Sequence, residues 1–172
     1  MPADIEGYRE YVAARLDPLR RTAYLLCDDW HTADDLVSTT LVKLLRHWRR
    51  VSAMDSPDAY VRRTLLRTWL DERRRPWRRE AAWAGIPDRA VRAVTDGTAD
   101  RVTVLALLAE LPPRRRAVLV LRYFCDLSVE ETAHELGCSV GTVKSQTARA
   151  IEALRGRLVT AQITPREADD HG

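Results

Sequence analysis

The chain has 172 residues, of which 45% are hydrophobic and 31% charged, with 28 lysines and arginines against 25 acids for a formal net charge of +3. That length fits one medium domain or two small ones, and the scarcity of glycine beside abundant Arg, Leu and Ala favours helix. No stretch approaches the roughly eighteen uninterrupted apolar residues of a membrane span, and MPADIEGYRE lacks the basic-then-apolar order of a signal peptide, so a cytoplasmic protein without membrane insertion is expected.

The first periodic segment runs from about Asp4 to Asp28, with Tyr8, Tyr11, Val12, Leu16, Leu19, Ala23 and Leu26 recurring at helical spacing. Pro18 predicts a kink or a short break inside it. Thr32 followed by Asp35 reads as a capping box opening a second helix, whose stripe of Leu36, Val37, Leu41, Leu44, Leu45 and Trp48 reaches about Arg50. Ser56-Pro57, a capping residue before a proline at the first helical position, opens a third helix through Tyr60, Val61, Leu65, Leu66, Trp69 and Leu70. Three such helices can enclose one small core. From Arg73 the periodicity dissolves, punctuated by Pro76, Gly85, Pro87 and Gly97, so residues 76–100 read as a linker. Helicity resumes near Arg101 through Val104, Leu105, Leu107, Leu108 and Leu111, and Pro112-Pro113 must end that helix. The next spans Arg114 to about Cys125, with Val118, Leu119, Leu121 and Tyr123 or Phe124 packed inward. The expected architecture is all-α, with a helical domain at 1–75, a flexible linker, a second helical domain at 101–160, and a disordered tail at 161–172. Each domain, at about sixty to seventy residues, has a marginal core of its own, and docking to a larger partner follows from that.

Residues 128–158 carry the most specific signal. Ser128 with Glu131 forms a capping box, and Val129, Thr132, Ala133 and Leu136 fall on one face of the helix they open. Ala133 is short enough for a steep helix crossing, and Gly137 can take the positive φ that a sharp turn requires. Ser139 can cap a second helix with Val140, Val143, Thr147, Ala150, Ile151, Leu154 and Leu158 turned inward. The opposite face carries Thr142, Ser145, Gln146 and Arg149, with Lys144 at its margin and no acid before Glu152. These donors and acceptors can reach phosphates and base edges, so the pattern is a DNA-binding helix-turn-helix. A second basic cluster runs through Arg62, Arg63, Arg67, Arg73, Arg74, Arg75, Arg78 and Arg79, and the planar guanidinium fork suits phosphate.

Other chemistries lack their residues. Cys27, Cys125 and Cys138 are odd in number with no C-x-x-C pair, which fits reduced thiols. His134 and Cys138 stand four apart, but Gly137 lies between them and no second ligand pair exists, so no metal is expected. The chain has no Gly-rich phosphate loop, nucleophile motif or clustered His, Asp and Glu set; His31 and His47 are scattered, and neither an enzyme nor a cofactor is expected.

Both halves together resemble a bacterial sigma factor of the extracytoplasmic function group, the minimal type that keeps the second and fourth sigma regions. LLAELPPRRRAVLVLRYFCDLSVEETAHELGCSVGTVKSQTARAIEALR is similar to the fourth region almost throughout. RRTAYLLCDDWHTADDLVSTTLVKLLRHWRRV followed by SPDAYVRRTLLRTWLDERRR carries the markers of the second. The resemblance implies binding to core RNA polymerase and direction of promoter-specific initiation. By analogy the fourth region would read the −35 element as duplex with Thr142, Lys144, Ser145, Gln146 and Arg149. The second would open and capture the −10 element with Tyr60, Arg62, Arg63, Arg67 and Trp69, because a melted strand needs cations for its backbone and an aromatic face or pocket for an unstacked base. Polymerase docking would fall on Asp34, Asp35, Leu36, Val37, Lys43 and Arg46 against the β′ clamp coiled coil, with the fourth region on the β flap. An anti-sigma factor is a common further partner in the group. The chain departs from the family in two places. Ser38, Thr39 and Thr40 follow Asp-Asp-Leu-Val where Gln and an acid are common, and Arg67 stands where a smaller polar residue such as Asn is frequent. The alternative reading is a stand-alone helix-turn-helix regulator that dimerises on DNA without polymerase.

Overall fold

Asp4 opens the first helix, α1 (Ile5–Cys27), by accepting a hydrogen bond from the Gly7 backbone N–H at 3.0 Å. In this computed structural model, which describes residues 4–74 and 99–163, α1 runs through Pro18 without the expected break. It ends at Asp28, whose left-handed φ of 58° turns its N–H back to the Tyr24 carbonyl at 2.8 Å. The second helix, α2 (Trp30–Val51), starts earlier than the Thr32 capping box predicts. Its cap is Asp29, which accepts from the Thr32 N–H at 2.7 Å, and hydrogen bonding from Thr32 holds the Asp29 carboxyl below its ordinary range. The tight Asp28-Asp29 turn therefore sets α2 against α1. Tyr24 stacks on Trp30 across the turn with ring centroids 4.2 Å apart, and Arg20 covers the outer side of Trp30.

The third helix, α3 (Pro57–Arg74), begins where the Ser56-Pro57 pair places it, and the Ser56 hydroxyl accepts from the Ala59 N–H. Tyr8 and Tyr11 from α1 lean on the Trp48 ring, while the Tyr11 hydroxyl donates to Asp58 at 2.7 Å, tying α1 to the start of α3. Helix α4 spans Ala99–Ala109, so the expected linker, 76–100, lies almost wholly outside the described residues. Pro113 starts α5 (Pro113–Leu119), and a π-helical turn, Val120–Phe124, continues it. That wider turn changes the register. Val120 and Leu121 go fully inside, whereas Tyr123 and Phe124, one or other of them expected to pack inward, are both more than half exposed. Helices α6 (Val129–Leu136) and α7 (Val140–Ile163) complete the described chain. α7 remains helical past the predicted end of the domain at 160, and 164–172 of the expected tail lie outside the described residues.

The second half has clusters of its own and also packs on the first. Leu19, Ala23 and Leu26 of α1, Leu36 and Leu44 of α2, and Val61, Leu65 and Trp69 of α3 form one cluster with Ala117, Val120, Leu121 and Leu127 of the second half. Arg116, only 3% exposed, reaches across and donates from Nε to the Leu25 carbonyl at 2.8 Å, with burial pulling its pKa down. Two small cores each too slight alone thus gain apolar area by packing on one another. No helix among the described residues is long and apolar enough to cross a membrane.

Candidate nucleic-acid interface

The helix-turn-helix is built as its caps require. The Ser128 hydroxyl accepts from the Glu131 N–H at 3.0 Å and the Glu131 carboxylate accepts from the Ser128 N–H at 2.7 Å, which holds the Glu131 pKa low. Gly137 has φ 63° and sends its N–H back into the last turn of α6. A side chain there would meet no neighbour, so the demand for glycine comes from the backbone conformation alone. Ser139 accepts from the Thr142 N–H at 3.1 Å and starts α7. Ala133 packs with Val118 and Val143 in a satellite core, where its short side chain permits the crossing of α6 and α7.

With Val143 and Ala150 fully buried, α7 turns Lys144, Ser145 and Arg149 into solvent and leaves Thr142 and Gln146 at intermediate exposure. The Thr142 hydroxyl lies 2.9 Å from that of Ser139, and Ser145 donates to the Thr142 carbonyl. Gln146 is held from outside the helix: its Oε1 accepts from Nε of Arg115 on α5 at 3.3 Å. These five predicted residues therefore share one exposed ridge and its flanks.

On α3 the predicted groups divide. Arg67 is exposed, and Tyr60, Arg62 and Arg63 are half-buried. Trp69 is 2% exposed and belongs to the joint core, so the expected aromatic face for a base is corrected here: Tyr60 is the aromatic left near the surface. Arg62 is engaged. Its Nη2 donates to Oε1 of Glu135 on α6 at 3.2 Å, with side-chain exposures of 22% and 3%. Burial pushes the Glu135 carboxyl up, against the pull of Arg62 and then of Arg63. Nε of Arg62, Nε of Arg63 and Oε2 of Glu135 are buried and make no hydrogen bond among the described residues. This contact is a buried ion pair with incomplete hydrogen bonding, the kind whose desolvation cost rivals its attraction.

On α2, Leu36 and Val37 are core residues, at 0% and 3% exposure, and cannot meet a partner in this conformation; the expected docking face is corrected to their neighbours. Asp35 is exposed, and Asp34 is exposed but bidentate with Arg20, whose hydrogen bond lowers the Asp34 pKa. Lys43 donates to Thr68 of α3 at 2.8 Å. Exposed Val42, Leu45 and Arg46 complete that face, and Arg46 with His47, Arg49 and Arg50 lines a shallow basic depression beside it. Of the departures noted in the sequence, Ser38 and Thr39 are exposed, while Thr40 is buried and donates to the Leu36 carbonyl. Among the described residues no cluster of His, Cys, Asp and Glu is grouped to hold a metal.

Sequence reasoning missed Arg115, Arg116 and Glu135. Glu135 lies three positions after buried Thr132, so the helical period alone puts this acid on the inward side and demands a cation opposite. Which cation answers is a tertiary fact. For the two arginines the run Arg114-Arg115-Arg116 offers no distinction, since one turn of helix sends them different ways.

The family model for sigma-70 region 2 matches residues 11–79, and that for sigma-70 region 4 matches residues 101–154. The RNA polymerase sigma-E factor of Streptomyces avermitilis is 37% identical over 163 residues, covering 95% of this chain and 91% of the relative. The ECF RNA polymerase sigma factor SigL of Mycobacterium tuberculosis is 30% identical over 162 residues, covering 91% and 89%. Among solved structures, the sigma factor RpoE from Bartonella quintana, crystallised with the anti-sigma factor NepR, matches with a TM-score of 0.76 at 23% identity over 93% of this chain and 99% of that one. CnrH in complex with the cytosolic domain of CnrY matches with a TM-score of 0.61 at 24% identity over 90% of this chain and 89% of that one. At such identity these two structures speak for the helical fold.

Proposed function

The chain belongs to the extracytoplasmic function group of the sigma-70 family, as an RNA polymerase sigma factor for transcription initiation, and from that premise we propose how its surfaces divide the work. The outer ridge of α7, with Thr142, Lys144, Ser145 and Arg149, enters the major groove of the −35 element, and Gln146 stands at its edge. Tyr60, Arg63 and Arg67 of α3 grip the −10 element as it opens, the arginines on phosphate and Tyr60 against an unstacked base, and Arg62 joins them once its pair with Glu135 parts. Trp69 supports that surface from beneath. The exposed face of α2, from Asp34 and Asp35 through Val42, Lys43, Leu45 and Arg46, docks on the β′ clamp coiled coil, and the second half sits on the β flap. An anti-sigma factor is the natural antagonist, and the protein works in the cytoplasm, where polymerase and template are. Its task is binding and placement, with no catalytic residue of its own.

The observation that carries this reading is the acid-free ridge of α7, held outward by fully buried Val143 and Ala150 and by the Ser139 cap. Two weak contacts on one polymerase then act as a linked pair, each raising the effective concentration of the other. The test is reconstitution. Purified protein with core polymerase starts transcription at a defined site bearing two upstream elements; binding to a palindromic site without polymerase supports the stand-alone regulator instead.

A further inference from the structure

One of the two acceptor positions on the Gln146 amide oxygen is already taken. A guanidinium only donates, so the atom facing Nε of Arg115 at 3.3 Å has to be the amide oxygen. The usual specific use of glutamine in the major groove is bidentate to adenine and needs that same oxygen as acceptor for the N6 amino group, so the Arg115 bond leaves one lone pair for it and draws the amide away from the groove. Position adds a second constraint. Gln146 stands three residues after Val143 and four before Ala150, both fully buried, so it leans from the ridge toward the seam with α5. Ser145 and Arg149 keep the crest. What Arg115 and Gln146 jointly present is a half-exposed flank rich in donors, since two terminal guanidinium nitrogens and the amide NH2 outnumber the one acceptor position left on the amide oxygen. Neighbouring Arg114 is exposed on the same stretch, and no carboxylate pairs with Arg115 among the described residues.

We infer that Arg115 and Gln146 form a phosphate clamp at the edge of the recognition helix, taking one backbone phosphate of the upstream element, with Arg115 as a DNA-binding residue and Gln146 reassigned from base reading to backbone holding. This rests on the reading of α7 as the −35 helix. Nε holds the glutamine oxygen and thereby fixes the plane of the guanidinium, which leaves its outer edge preset for a phosphate oxygen. Such a contact sets the register of the helix in the groove and carries no sequence information of its own.

The test uses the holoenzyme reconstituted from core polymerase and the full chain, on a promoter fragment and on every single base-pair variant of its upstream element, across a salt series. Arg115→Ala is expected to weaken binding by about threefold to tenfold on all fragments alike, and to flatten the slope of log affinity against log salt by about one unit. Gln146→Leu keeps the cation and loses its hold, so the slope stays as in the wild type while affinity falls by about twofold to threefold, again without base preference. A loss confined to one base pair in either variant, or wild-type affinity and slope in Arg115→Ala, overturns the clamp. If the wild-type holoenzyme ignores the upstream element altogether, it is the assignment of α7 that fails. Helix content by circular dichroism checks that both variants fold.

Discussion

Replacing Glu135 tests the seam between the two halves. Its side chain is 3% exposed and accepts from Arg62 across that seam, while its second oxygen and Nε of Arg62 and Arg63 make no hydrogen bond among the described residues. Glu135→Ala strands the Arg62 charge at the seam. Removing one partner of a fully buried pair costs about 3–5 kcal/mol. Arg62 keeps 22% of its side-chain surface, so water reaches the stranded charge and the expected loss is nearer 2 kcal/mol, still a large share of a small protein's stability. Glu135→Gln also leaves the Arg62 charge unanswered but keeps the shape and an acceptor for its Nη2, so it should cost less than the alanine change. The pH dependence separates the two effects. Burial raises the folded-state pKa of Glu135, so the folded chain holds its proton to higher pH than the unfolded one, and the contribution of Glu135 to stability declines as pH rises through that interval. The difference in stability between Glu135→Gln and the wild type should therefore move in favour of the glutamine variant as pH rises above the ordinary glutamate range. Urea unfolding followed by circular dichroism at several pH values measures it. No loss of stability with alanine would refute the buried pair as the feature that sets the seam.

Three further outcomes follow. Gly137→Ala should cost about 1–2 kcal/mol, because the added methyl meets nothing and the whole penalty lies in the φ of 63°; thermal unfolding reads it, and a neutral result would mean the turn relaxes. Leu121→Ala, at a fully buried site of the joint core, should lower stability by about 2–5 kcal/mol in a single cooperative transition, and two separated transitions would contradict a shared core. Arg149→Ala should reduce upstream-element recognition and leave association with polymerase intact, and unchanged promoter activity would count against its placement on the reading ridge.

Local rules made much of this fold legible. Capping at Ser56 and Ser128 and the turn at Gly137 are short-range chemistry, each spelled out by neighbours within a few residues. The spacing of Val143 and Ala150 likewise fixed which face of α7 turns outward. Reading failed where distant residues decide. Leu36 and Val37 look alike as docking or core residues until α1 and α3 close over them. Trp69 has both an aromatic face and a place in the apolar stripe, and packing took it inward. The π-helical turn shifted Tyr123 and Phe124 outward against the α-helical period on which the expectation rested. Asp29 displaced Thr32 as the cap of α2 because the Asp28 turn brought its carboxylate round first. Contacts across the seam, Arg116 to Leu25 and Arg62 to Glu135, span sequence separations that no periodicity encodes.

Site-specific crosslinking within the holoenzyme tests the division of labour most directly. With photoreactive groups placed in turn at Ser145 and at Tyr60, position 145 should attach to the duplex near −35 and position 60 to the opened strand near −10. Attachment of both groups to the same element, or of position 145 to polymerase protein alone, would contradict the account.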